Sequence, residues 1–323
     1  MKTDCTGQEV DRTEATTEAY RQRYQDLRWA IAQVQFEVEI SDVILWFCAQ
    51  DGRWSASTIR QYRAVIAAEV ERVIADASWR ASLLAQLRKH SPAPKVGGPR
   101  RTSTRKRKSI PETELEQVTK FLKTSGMADD LLIARLMLYG VHFFLRPSEW
   151  IGARFDGTTF VTPNAKNTNG RANGDERERD LSRYGADHIA TLDAFLADLR
   201  KAAEAAGGWT RLHGRLAARL ARVCKRLGIR RIAFYTIRHL GMATAKRIMP
   251  AEEVAACAGH ASVLTAGSHY AKSRLGWKNV HSPGPPSPAS LELVRWPKPP
   301  SWAPPKRAAD EPVDEGPIPV PSW

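Results

Sequence analysis

The chain has 323 residues, enough for two modest domains with tails, and its 49 Lys and Arg against 35 Asp and Glu give a formal net charge of +14. Such a field draws polyanions, with nucleic acid and anionic membrane surface as the common choices. A spanning helix is disfavoured: the most apolar run, Leu131 to Leu145, falls short of the roughly 20 residues required and contains Arg135 and His142.

The first residues, MKTDCTGQEVDRTEATTEAY, hold no apolar core for a signal peptide, so a cytoplasmic protein with no membrane partner is expected. The four cysteines, Cys5, Cys48, Cys224 and Cys257, then read as reduced thiols. None has a metal-ligand spacing, so neither structural zinc nor any other metal is expected.

Residues 1–15 read as a disordered N-terminus and 16–90 as a small helical domain. Ser41 is the expected cap of DVILWFCAQ, an Asp51-Gly52 turn follows, and Ser57 opens the next helix. Residues 91–109 read as an interdomain linker, because Pro, Gly and Ser break the periodicity of SPAPKVGGPRRTSTRKRKSI. Seven cations and no acid lie between Lys95 and Lys108. A charged linker stays solvated, and it also neutralises phosphates; the density of cations favours the second reading, with Arg100, Arg101, Arg105, Lys106, Arg107 and Lys108 as DNA contacts. In a eukaryotic host the same run is a candidate import signal.

A second domain is expected over residues 110–280. Pro111 suits a first helical turn, and Glu112, Glu114 and Glu116 suit its positive end. Helices run to about Phe144. Between Arg154 and Leu181 short extended pieces alternate with Asp156-Gly157, Asn169-Gly170 and Asn173-Gly174, predicting a small antiparallel sheet with a mobile hairpin. Helical patterns return at Ala186 to Ala206, Thr210 to Leu227, and Thr236 to about Tyr270. The fold class is therefore mainly α with a small antiparallel β-sheet. Residues 281–323 carry thirteen of the 20 prolines and no periodicity, and are expected to form a disordered tail.

Three segments of the second domain carry the chemistry: FFLRPSEW, YTIRHLGMAT and AGHASVLTAGSHY. Each taken alone is weak, since a terminal arginine, a Gly-His turn and a packed tyrosine are all commonplace. Their order and spacing over about Ile110 to Lys278 resemble the tyrosine recombinase, or phage integrase, family. Its catalytic domain runs Arg, Lys on a hairpin, His-x-x-Arg, Gly-His and then Tyr. Leu145, Arg146, Ser148 and Glu149 stand where the family has its L-R-x-S-E stretch. Lys166 is the best match to the hairpin lysine, with Arg171, Arg177 and Arg179 nearby. Tyr235, Thr236, Ile237, Arg238 and His239 occupy the H-x-L-R-H segment, Gly259-His260 the Gly-His pair, and Tyr270, one residue later than the commonest spacing, the nucleophile. Tyr235 replaces the usual histidine. His239 and His269 are then candidates for the missing imidazole.

The resemblance, which WFCAQDGRWSASTIRQY extends to the first domain, implies a helical DNA-binding (core-binding) domain over residues 16–90, a catalytic domain over 110–280, and a site-specific recombinase that cleaves and rejoins DNA strands through a 3′-phosphotyrosine, without metal, other cofactor or ATP. It implies double-stranded DNA and a homotetramer on paired sites as partners, and a mobile genetic element as context. The residue types suit that reaction. Two arginines neutralise the charge that develops on the non-bridging phosphate oxygens, a role expected of Arg146 and Arg238 with His260 as a further donor. Tyr270, with an ordinary pKa near 10 (roughly), needs a positive site to lose its proton. Lys166 is expected to protonate the departing 5′ oxygen, and Glu149 to orient the arginines. The alternative is a catalytically impaired DNA-binding protein of the same fold, motivated by Tyr235.

Overall fold

In a computed structural model of the chain, the described residues are 14–33, 37–96, 107–165, 167, 172–278 and 282–296. The chain divides into two compact units, Met1–Thr104 and Arg105–Trp323.

The first unit is helical: α1 (Glu14–Ala32), α2 (Ile40–Cys48), α3 (Ala56–Val73) and α4 (Ala77–Lys89). Apolar residues at helical spacing, including Val43, Ile44 and Phe47 on α2 and Ile59, Ile66 and Val70 on α3, close its core. The caps lie slightly upstream of those expected. Glu39 and Asp42 form a reciprocal box ahead of α2, displacing Ser41, and Ser55 rather than Ser57 accepts from the Thr58 amide. Residues 91–95, expected to begin a linker, instead fold back: Ala93 donates to Asp51 Oδ1, the Gly52 amide to Ala93, and Lys95 to Trp54.

The second unit is built on α6 (Ala128–Phe143), which packs against α5 (Glu112–Thr124) and α9 (Phe234–Ile248). Pro111 caps α5 from outside rather than lying in its first turn. At the α6–α9 crossing a Cβ on Gly241 would strike the Val141 carbonyl, so only glycine lets the helices approach this closely. After a 3₁₀ turn, Pro147–Glu149, come β1 (Arg154–Asp156), β2 (Thr159–Pro163) and β3 (Glu176–Asp180). They form an antiparallel sheet in that order, with Phe155 opposite Phe160 and Phe160 opposite Arg179. Helices α7 (Ala186–Ala205) and α8 (Trp209–Arg226) supply Leu196, Leu199, Leu216 and Leu220 to the same core.

The expected helical run from Thr236 to Tyr270 is broken into α9, α10 (Ala251–Ala258) and α11 (Val263–His269). Pro250 caps α10, and Gly259, at φ +68°, closes it in the Schellman pattern, with Gly259 and His260 amides donating to Ala256 and Ala255. The tail expectation is corrected for residues 282–296. Pro286 bridges to Arg179, the Ser287 amide donates to Glu178, α12 (Pro288–Glu292) follows, and Arg295 pairs with Ser262. Sheet-edge hydrogen bonds and the burial of Val294 offset the ordering cost that composition alone predicted would win. The rest of the expected tail, 297–323, lies outside the described residues. Among those described, no helix is long and apolar enough to cross a membrane.

Candidate functional site

The end of α6 sets the site. Phe144 is in the left-handed conformation, φ +42°, so the chain turns sharply and presents Arg146 at the mouth of the Pro147–Glu149 turn. A non-glycine residue there is strained and persists only when its surroundings hold it. Two guanidiniums do so: Arg238 Nη1 donates to the Phe144 carbonyl at 2.6 Å, and Arg179 lies 4.5 Å from the Phe144 ring centre.

Two helix C-termini, those of α6 and α10, converge here, and their last carbonyls lack intrahelical partners. Buried arginines supply the missing donors. Arg179 donates to Phe143 and Cys257 at 2.8 and 2.7 Å, Arg177 to Cys257 at 2.8 Å, and Arg238 to Ala258 at 3.0 Å. Cations at helix C-termini are also favoured by the helix dipole.

Glu149, fully buried, is the shared carboxylate. It accepts from Arg146 Nη1 at 2.6 Å, from the Arg146 amide at 2.7 Å and from Arg177 at 2.8 Å, and lies 3.6 Å from Arg238. Burial alone would raise its carboxyl, but Arg177, Arg238 and Arg146 outweigh burial and hold it down to about 2. Three buried guanidiniums, those of Arg146, Arg177 and Arg238, thus face one carboxylate, and a fourth, Arg179, lies beside them on backbone carbonyls, leaving a local excess of three positive charges. Arg146 Nε has no hydrogen-bond partner among the described residues.

Tyr270, just beyond α11, points its hydroxyl into this excess. It accepts from Arg238 Nε at 3.1 Å and lies 3.2 Å from the hydroxyl of Tyr235, at the start of α9. Burial would raise the Tyr270 phenol, but Arg238, the Tyr235 hydrogen bond and Arg146 prevail and lower it. Tyr235 moves oppositely, up to about 12, through burial and its bond to Tyr270. The pair is therefore set for Tyr235 to donate to a Tyr270 phenolate. His260 lies beside the same ring, with Nε2 3.4 Å from Arg238 Nη2. Burial, then Arg238, Arg146 and Arg177, drive it down to about 2, so it is a neutral imidazole. His239 packs between the Tyr235 and Tyr270 rings, at 5.3 and 5.2 Å between centres. His269 is exposed on the last turn of α11.

Arg146, Glu149, Tyr235, Arg238, His239, His260 and Tyr270 are thus gathered from segments up to 124 residues apart. Lys166 lies outside the described residues, as do Arg100, Arg101, Arg105 and Lys106. Arg107, expected to contact DNA, has a side chain only 8% exposed, paired with Glu114 at 2.6 Å and donating to the Ser109 and Arg230 carbonyls. Lys108 is exposed.

Sequence reasoning placed Arg177 and Arg179 only as neighbours of Lys166, yet both are fully buried on β3 and hold the site together. The signal was present: in ERERD the arginines alternate with acids and so share one face of a strand. Asn164 was also missed. It accepts from Arg177 at 2.5 Å and sits against Gly259, where any Cβ would strike its Oδ1.

No family model matches the chain, and no curated protein matches it. Among solved structures it is similar to a lambda integrase dimer bound to a COC′ core site, with a TM-score of 0.49, 12% identity, and coverage of 84% of this chain and 75% of that one. It is similar to a lambda integrase tetramer bound to a Holliday junction, with a TM-score of 0.44, 12% identity, and coverage of 84% and 76%. XerA recombinase is a third, with a TM-score of 0.36, 15% identity, and coverage of 82% and 90%.

Proposed function

We propose that the protein is a tyrosine-type site-specific DNA recombinase that cleaves and rejoins strands through a 3′-phosphotyrosine. One observation carries the reading: a tyrosine hydroxyl, with its proton made easier to lose, is held at 3.1 Å by an arginine inside a buried cluster of four guanidiniums and a single carboxylate. A phosphodiester supplies the missing negative charge. The ordered sequence motifs support the same assignment.

In this mechanism the Tyr270 oxygen attacks phosphorus, its proton passing to solvent water as the cationic field lowers the phenol's hold on it. Arg146 and Arg238 neutralise the non-bridging oxygens, with His260 as a neutral donor. Glu149 orients the arginines. The bond to the 5′ oxygen breaks, and Lys166 is assigned to protonate it. The phosphotyrosine ester keeps the energy of the broken bond, so a 5′ hydroxyl that attacks it releases Tyr270 and rejoins the strand without ATP. Double-stranded DNA as substrate, a homotetramer on paired sites, and action on DNA in the cytoplasm belong to the same proposal.

A second reading, a DNA-binding relative that has lost cleavage, is favoured by Tyr235 alone, which cannot act as the base that an imidazole provides. The test is a nicked suicide duplex made from the DNA flanking the protein's own gene, run on a denaturing gel. A covalent band lost in Tyr270→Phe and weakened in Arg146→Ala is expected. A band that survives Tyr270→Phe refutes the nucleophile. Salt-sensitive binding without any band supports the second reading.

A further inference from the structure

We infer that Lys246 is a positioning residue for Tyr270, a clamp on two backbone carbonyls that flank it; the inference rests on reading Tyr270 as the nucleophile. Helix α11 has only seven residues, too few to sustain itself, and its last carbonyls have no partner within the helix. Tyr270 follows in an extended conformation, φ −113° and ψ 169°, and the next regular turn begins only at Ser273. The residue that carries the hydroxyl therefore sits on a joint between two short pieces, which local structure does little to fix.

Lys246 bridges that joint. Its Nζ donates to the Ala266 carbonyl at 2.5 Å, on the α11 side, and to the Ala271 carbonyl at 2.9 Å, immediately beyond Tyr270. The Ala266 carbonyl is one of those left open at the helix end, and a cation there is favourably placed against the helix dipole. The ammonium group is partly withdrawn from water, so the two carbonyls are its replacement for hydration, and burial lowers its pKa.

The geometry also links backbone to hydroxyl. Lys246 and Arg238 are on the same helix, α9. Arg238 holds the Tyr270 hydroxyl, while Lys246 holds the chain on both sides of its Cα. One rigid element thus fixes both ends of the side chain, which a displaced nucleophile would need in order to meet phosphorus in line. A residue serving only to fill space would need no donors. Lys246→Met keeps most of the stem and removes both bonds.

The test uses the full-length chain without DNA. Hydrogen exchange is followed in wild type, Lys246→Met and Lys246→Arg. Exchange about tenfold faster in residues 264–275 of Lys246→Met is expected, with α6 unchanged and Lys246→Arg restoring much of the protection. Unchanged exchange in 264–275, or an equal rise in α6, overturns the clamp. If Lys246→Met does not fold, Lys246→Gln takes its place in the same comparison. On the nicked duplex, adduct formation should slow tenfold or more in Lys246→Met with the DNA Kd within twofold of wild type, and an unchanged rate overturns the positioning role. Absence of adduct in the wild type would defeat the reading of Tyr270 instead, and the exchange result would still decide whether Lys246 holds this segment.

Discussion

The hydroxyls of Tyr235 and Tyr270 lie 3.2 Å apart, and the second also accepts from Arg238. The two phenols have been driven in opposite directions, Tyr270 down and Tyr235 up to about 12, so the proton of the pair resides on Tyr235 when one is lost. Tyr235, 39% exposed at the start of α9, is thus a hydrogen-bond donor to Tyr270 rather than a base.

Replacing Tyr235 with Phe removes that donor and leaves the ring. A hydrogen bond to a charged acceptor contributes ~1.5 kcal/mol or more, about one pH unit. The pH profile of adduct formation should therefore move alkaline by about one unit, with a roughly tenfold loss near neutrality. An unmoved profile would show that Tyr235 does not share the proton.

Glu149 should be worth more to folding than a surface ion pair. Glu149→Gln leaves three arginines that it now faces, Arg146, Arg177 and Arg238, without their carboxylate in a buried setting. Breaking such a set costs about 3–5 kcal/mol. Urea denaturation should show a correspondingly lower midpoint for the second unit, whereas Glu18→Gln, whose Arg21 pair is exposed, should change little.

Acid should destabilise the second unit in two stages. Both Glu149 and His260 have folded pKa values depressed to about 2, below their ordinary values of 4.5 and 6.5. A depressed value means that the unfolded chain binds protons first, so stability is full above the ordinary value and is lost as pH falls toward the folded one. Urea midpoints should fall from about pH 6.5 through His260, and more steeply below 4.5 through Glu149. His260→Gln should flatten the upper stage. A midpoint level from pH 7 to 5 in the wild type would contradict the buried neutral imidazole.

Arg107 and Lys108 are adjacent but should behave oppositely. Arg107 is enclosed with Glu114, Ser109 and the Arg230 carbonyl, so Arg107→Ala should lower stability by ~1–3 kcal/mol and leave the salt dependence of DNA binding nearly intact. Lys108 is exposed, so Lys108→Ala should spare stability and reduce the logarithmic salt slope by about 1. Affinity titrations over a salt series distinguish the two.

How far the sequence could be read is clearest at β3. Strand-like alternation in ERERD told which residues share a face, but both faces are charged, so it did not tell which is inside. Arg177 and Arg179 are the inner pair because carbonyls of α6 and α10 and the Glu149 carboxylate await them there, and those partners come from distant segments. Residues 282–296 make the same point. Their prolines argued for disorder, while their order depends on an open sheet edge and on Ala261 and Ser262, which composition does not describe.

The sequence by itself determined the mainly helical class, the position of the small sheet, the basic balance, and the order of Arg146, Arg238, His260 and Tyr270 along the chain. These are local properties: periodicity, turn chemistry and residue type act within a few residues of one another. Only the tertiary structure decided that α9, α10 and α11 are separate, that Arg107 pairs with Glu114, that three buried guanidiniums face one carboxylate, and that Tyr235 meets Tyr270. Whether a charge is buried depends on partners the fold delivers from elsewhere, and a charge without them stays in water.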